Sequence, residues 1–226
     1  MVEDKIPPYI RGYIEGLINA QCNVYGYNFI SDSLSDDMVQ KIMSVFGMTI
    51  KPDYIECDRD VVADYYIGHK CTERDRILTL RAVSNRFNLD LYTTSDPADV
   101  PNAHFRGIAD SITMLPKIFK CSKINLDIVH KSIQSTQTVR TYDAMGLGGF
   151  VISNYQLEIP EYFTIDKDIV VYESIPDLLN KIEYYLSHDD ERMQIAKNGQ
   201  AKVLANHTYD IRAAKILDTL KNHGIH

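Results

Sequence analysis

At 226 residues, 45% hydrophobic and 24% charged, the chain has enough apolar mass for one large domain, or one domain with a helical appendage. Its formal net charge of −7 argues against a nucleic-acid partner, which needs a basic face, yet leaves room for a small anionic ligand held by a few cations. No apolar run approaches the roughly 20 residues of a membrane span, the start lacks a signal peptide's pattern, and Cys22, Cys57, Cys71 and Cys121 are too scattered for a metal cage, so a cytoplasmic protein is expected.

There is no internal repeat and no low-complexity segment. Residues 1–60 read as a helical N-terminal segment: Ile10, Tyr13, Ile14, Leu17 and Ile18 recur at helical spacing. Ser35 and Asp36 are placed to cap a second helix through Met38, Ile42, Met43 and Phe46, which Gly47 would stop. From Asp60 onward, short apolar runs alternate with helical stretches. VVADYYIG is apolar at both periods and stays open between strand and helix. In TERDRILTLRAVSNRF, Thr72 is a candidate N-cap, with Ile77, Leu80 and Val83 on one face. Strand LDLYTT, turn SDPADVPN, strand AHFRG, helix SITMLPKIFKCS, strand KINLDIV, helix TVRTYDAMG, strand FVISN, short helix QLEIPEYF and strand DIVVYE follow, then a long helical tail from Pro176 to about Asn222. Strands joined through helices by such short connections predict an α/β fold with a doubly wound parallel sheet over residues 61–226.

The chemistry concentrates between Lys131 and Phe163. Gly146, Gly148 and Gly149 follow a helix and precede a strand, the reverse of a dinucleotide fingerprint. They read as a helix stop and tight turn, which speaks against an NAD-dependent reductase. A phosphate site belongs at the other end of that helix. There the N–H groups of Gln137, Thr138 and Val139, with hydroxyls of Ser135, Thr136 and Thr138, would face the carboxyl edge of the sheet. The alternative is a merely capped helix with a solvated loop. One turn further in, Asp143 and Arg140 share a face, either as a ribose-binding carboxylate beside a cation or as a local ion pair. Asn154, Tyr155 and Glu158 follow strand FVISN at the same edge. His207, Thr208, Tyr209 and Arg212 open the last helix, His207 reading as a packing residue. His104, His130 and His188 show no metal spacing.

The run RTYDAMGLGGFVISNYQ, with YFTIDKDIVVYES and HTYDIRAAKIL after it, resembles the glycosyltransferase-like domain of the bacterial spore-maturation and spore-protein family. More distantly it resembles the C-terminal, Rossmann-like half of retaining GT-B glycosyltransferases. IGHKCTERDR and FRG fall in matching order, and the resemblance covers roughly Gly68 to Leu220. It implies a donor-binding half that transfers a sugar from a nucleoside-diphosphate sugar to an unknown acceptor, with no metal or other cofactor. Asp143 takes the position of a ribose-binding carboxylate. Ser135, eight residues earlier, stands where the family carries a sugar-contacting glutamate. The basic residues that neutralise the diphosphate come from His69, Lys70, Arg74 and Arg76, with Arg140 a further candidate; Lys70 and Arg74 are taken for donor binding, and Asp143 and Arg140 for catalysis. With only sixty residues before the sheet, the chain is expected to need an N-terminal acceptor domain or a partner chain. The alternative is a non-catalytic nucleotide-sugar-binding module in cell-surface or spore-coat assembly.

Overall fold

A computed structural model describes residues 6–45, 47 and 55–224. Helices α1 (Pro8–Gln21), α2 (Ile30–Ser33) and α3 (Asp36–Val45) build a first core from Ile10, Ile14, Ile18, Ile30, Val39 and Ile42, all nearly fully buried. Ser35 Oγ accepts the amide of Met38, the cap expected for α3, and Gly47 leaves the helix with φ +69°. Phe46 lies outside the described residues.

A continuous helix follows: α4 (Ile55–Asp60), a π-helical stretch (Val61–Ile67) and α5 (Gly68–Ser84). VVADYYIG is therefore helix, and the helix runs straight through residue 60. In the π stretch the Gly68 amide reaches back five residues to the Ala63 carbonyl. Val62, Ala63, Ile67 and Cys71 turn inward and complete the first core. Thr72 does not cap a helix. It is buried inside this one, where its hydroxyl donates to the Gly68 carbonyl (2.7 Å), because the turn before it is already helical.

The alternation of strands and helices thus starts only after Ser84. β1 (Asp90–Leu91) and β2 (His104–Phe105) form a short parallel pair. α6 (Leu115–Cys121) leads into the main sheet of β3 (Asn125–Asp127), β4 (Val151–Asn154) and β5 (Val170–Tyr172), parallel and in the order β3-β4-β5. Leu126 pairs with Ile152 and Ile152 with Val170. α7 (Val139–Gly146) and α8 (Ile159–Tyr162) make the crossovers.

The expected long tail is three helices, α9 (Ile175–Ser187), α10 (Asp189–Asn206) and α11 (Tyr209–Asn222). Local chemistry breaks it. Three acidic residues, Asp189, Asp190 and Glu191, favour a fresh helix start after His188, and Thr208 caps α11 through the Ile211 amide. Alternation along the strands sends Ile152, Val170 and Tyr172 to one face, against α9 and Val83 of α5. It sends Val151 and Val171 to the other, against Ala144 and Met145 of α7 and Val203 of α10. Both faces are covered, as a Rossmann-like α/β sheet requires.

The glycines after α7 close it as anticipated. Gly148 has φ +80°, and the Gly149 amide bonds the Ala144 carbonyl (2.9 Å). A Cβ at Gly149 would come within 2.8 Å of the Phe119 carbonyl and 2.7 Å of Asn125 Nδ2. These residues are turn and packing elements, far from the start of α7.

Candidate functional site

The carboxyl ends of β3 and β4 bring two loops to the start of α7. Thr138 caps that helix, its hydroxyl accepting from the Thr141 amide at 3.4 Å. Behind the cap lies Asp127, the last residue of β3, which accepts from the hydroxyls of Thr141 and Thr138. Burial pushes the Asp127 carboxyl upward, opposed by those hydroxyls and by the charges of Arg76 and Arg140. Gln137 is buried as well. Its Oε1 lies 3.0 Å from the Thr141 hydroxyl and accepts from Ser153 Oγ at 3.2 Å, while its Nε2 has no partner. Gln137 therefore brings a buried side chain as well as a backbone amide.

The two loops are latched together. Ser135 Oγ donates to Glu158 Oε1 at 2.5 Å, and the Glu158 amide donates to the Ser135 carbonyl at 2.9 Å. Asn154 is buried, its Oδ1 accepting the Val129 amide (2.7 Å); it ties β3 to β4 and has no free face for a ligand. Tyr155 packs against Gly26, where a Cβ would fall 2.6 Å from its ring.

The loop after β3 is also gripped from the N-terminal side. Arg76 Nη2 donates to the Ile128 carbonyl (3.2 Å), Thr72 Oγ1 accepts the Lys131 amide (2.9 Å), and Asn28 Nδ2 donates to the Lys131 carbonyl (2.6 Å). Lys131 Nζ lies 3.4 Å from Asp75 Oδ2, both side chains almost fully buried, and over the Tyr25 ring at 4.9 Å. The His69 and His130 rings meet edge to face, centroids 4.6 Å apart. Of the four basic candidates on this helix, His69 and Arg76 reach the loop. Arg74 is turned onto α1, paired with Glu15 (2.7 Å) and Asn19 (2.8 Å), and Lys70 rests over the Tyr66 ring (5.4 Å).

Beside α7 opens a cleft of about 400 Å³ between α6, α7 and the α10–α11 junction. Leu115, Val139, Asp143, Leu204, Tyr209 and Arg212 are among its walls. Asp143 faces this cleft, and no ion pair joins it to Arg140 among the described residues, which removes the local-pair alternative. Arg140 is exposed on the first turn of the helix. His207 packs as expected, its ring 5.2 Å from Tyr142 and 5.5 Å from Phe163. Burial, with the charges of Arg212, Lys215 and Lys202, pushes its pKa down. Arg212 lies over the Tyr142 ring at 4.5 Å.

Sequence reasoning missed Asp127, His130 and the side chain of Gln137. A strand-end carboxylate after an apolar run was the visible signal for Asp127; the other two depend on folding. A family model described as glycosyl transferase-like matches residues 76–218, which starts at Arg76 and takes in both loops, α7 and the cleft. No curated protein and no solved structure matches the chain.

Proposed function

Because the chain belongs to the glycosyl transferase-like family, whose chemistry is sugar transfer, we propose that the carboxyl edge binds a nucleoside-diphosphate sugar. The observation that carries the reading is Asp143, facing the cleft one turn inside a helix whose start lies at that edge. The nucleoside lies in the apolar part of the cleft, with Asp143 accepting from the ribose hydroxyls. The diphosphate meets the open amides of Val139 and Arg140, the positive end of the helix and the Arg140 guanidinium. Arg76 takes the basic role that the sequence had shared among four residues. Asp127 and Gln137 set the Thr138 and Thr141 hydroxyls in place.

The Ser135–Glu158 latch supplies a carboxylate beside the serine, so the sugar side of the site has a charged acceptor after all. On transfer, the bond between the anomeric carbon and the diphosphate oxygen breaks, and an acceptor hydroxyl bonds to that carbon and gives up its proton to the departing diphosphate. The charge left on the departing diphosphate is met by α7 and Arg140. No step calls for a divalent cation. The reading extends to a GT-B donor half over residues 61–226 with the first sixty residues as a helical extension, close to the spore-maturation and spore-protein group.

A ligand at 100 times its dissociation constant adds about 2.7 kcal/mol of stability. UDP or GDP should therefore raise the melting temperature, and Asp143→Ala should lose that shift while staying folded. If neither nucleotide shifts the wild type, or the variant shifts equally, the reading fails. Ser135, standing where the family pattern carries a carboxylate, favours a second reading, a binding module without turnover. It predicts the same thermal shift but no release of nucleoside diphosphate from any sugar donor.

A further inference from the structure

The long helix departs from α geometry only at Val61–Ile67, and π turns inside α-helices are frequent at functional sites. Around this stretch an open hollow of about 370 Å³ is lined by Asp60, Val61, Asp64, Tyr65 and His69, and bordered by Ser132 from the loop after β3. Tyr65 is 74% exposed, yet its ring is held edge-on against His69, centroids 5.1 Å apart. His69 in turn rests on His130, whose Nδ1 accepts from the Ser132 hydroxyl at 2.8 Å and amide at 3.3 Å. Asp60 accepts from the Ser31 hydroxyl (3.1 Å), and the Gln134 side chain lies beside Asp64.

An aromatic ring open to solvent, two carboxylates and an imidazole in one hollow form a recognisable chemistry. The carboxylates repel phosphate and other anions. Among the described residues no group of three or more acidic, cysteine or histidine side chains is arranged for a metal ion. A single ring is not a cage for an ammonium group. What fits is a neutral ring with apolar C–H faces and hydroxyls at its edge: the face lies on Tyr65, and the hydroxyls donate to Asp60 and Asp64. We propose that this hollow is a saccharide-binding subsite. Resting on the donor reading above, the saccharide is the acceptor. Gln134 and Ser135, adjacent in one loop, face the two sites, Asp64 on one side and Glu158 on the other.

The test is saturation-transfer NMR on the full chain with methyl glycosides of glucose, galactose, mannose and N-acetylglucosamine, and with tetramethylammonium as the cationic probe. The expected result is a signal from at least one glycoside that Tyr65→Ala weakens about tenfold in affinity. Asp143→Ala should leave that signal unchanged, and Tyr65→Ala should leave the UDP or GDP thermal shift unchanged. Tyr65 is exposed enough for its removal to be tolerated by the fold. The proposal is overturned if no glycoside gives a signal, if Tyr65→Ala leaves the affinity unchanged, if Asp143→Ala abolishes the signal, or if only tetramethylammonium binds. A Tyr65-dependent glycoside signal without any nucleotide shift would leave the saccharide subsite standing and sink the donor reading instead.

Discussion

Ser135 and Glu158 are 23 residues apart in the chain and share a hydrogen bond of 2.5 Å. Each was legible as a polar residue in the loop that follows an apolar strand, but their pairing follows from β3 and β4 lying side by side, which no local pattern encodes. The same holds for His130, which in sequence is a histidine without metal spacing and in the fold is pressed against His69. Burial, then the charges of His69 and Arg76, hold its pKa below the ordinary 6.5. The folded protein therefore keeps His130 neutral where the unfolded chain is protonated. The contribution to stability is complete above pH 6.5 and is lost as the pH falls through that value towards the folded pKa. Asn can accept from Ser132 without titrating, so His130→Asn should flatten the decline in melting temperature between pH 7 and 5. His207, shifted the same way, adds to the decline in both proteins. An identical pH profile in the variant would refute the assignment.

At the scale of the element, α7 was readable at both ends. A threonine opens it and glycines close it, because caps and positive φ are local demands. The helix over residues 55–84 was not. VVADYYIG is apolar at both helix and strand spacing and so stayed ambiguous, and with the π turns before it unread Thr72 looked like a start. Lys131 and Asp75 join this helix to the loop after β3, with 6% and 2% of their side-chain surfaces exposed. Removing one partner of such a pair leaves a buried charge uncompensated. Lys131→Met should cost about 3–5 kcal/mol in chemical denaturation. Lys131→Met combined with Asp75→Leu should recover most of that loss, because two apolar side chains need no pairing. A double variant as unstable as the single one would show that the loop needs the charges themselves.

At the scale of the whole molecule, the parallel sheet and its two covered faces were legible from the strand runs alone. The first core was legible as helix but not as a partner of the sheet: the grips on Ile128 and Lys131 come from Asn28, Thr72 and Arg76, which carry no local signal. α11 stands apart, with no buried residue of its own, while Tyr209 and Arg212 line the cleft. Ending the chain after Thr208 should therefore move the melting temperature by no more than about 2–4 °C, the shift that 1 kcal/mol produces in a chain of this size. It should also weaken nucleotide binding measured by calorimetry. A large loss of stability, or unchanged affinity, would contradict this division of labour. The π stretch has a further consequence. Every turn there takes up one residue more than an α turn, so it works as a phase shifter between Asp60 and His69. Deleting one residue would restore α geometry and leave what precedes it nearly in phase with α5, whereas a residue lost from the α-helical part would turn it by about 100°. The meeting of Asp60 and His69 in one hollow is thus set by a count of residues in the helix that joins them.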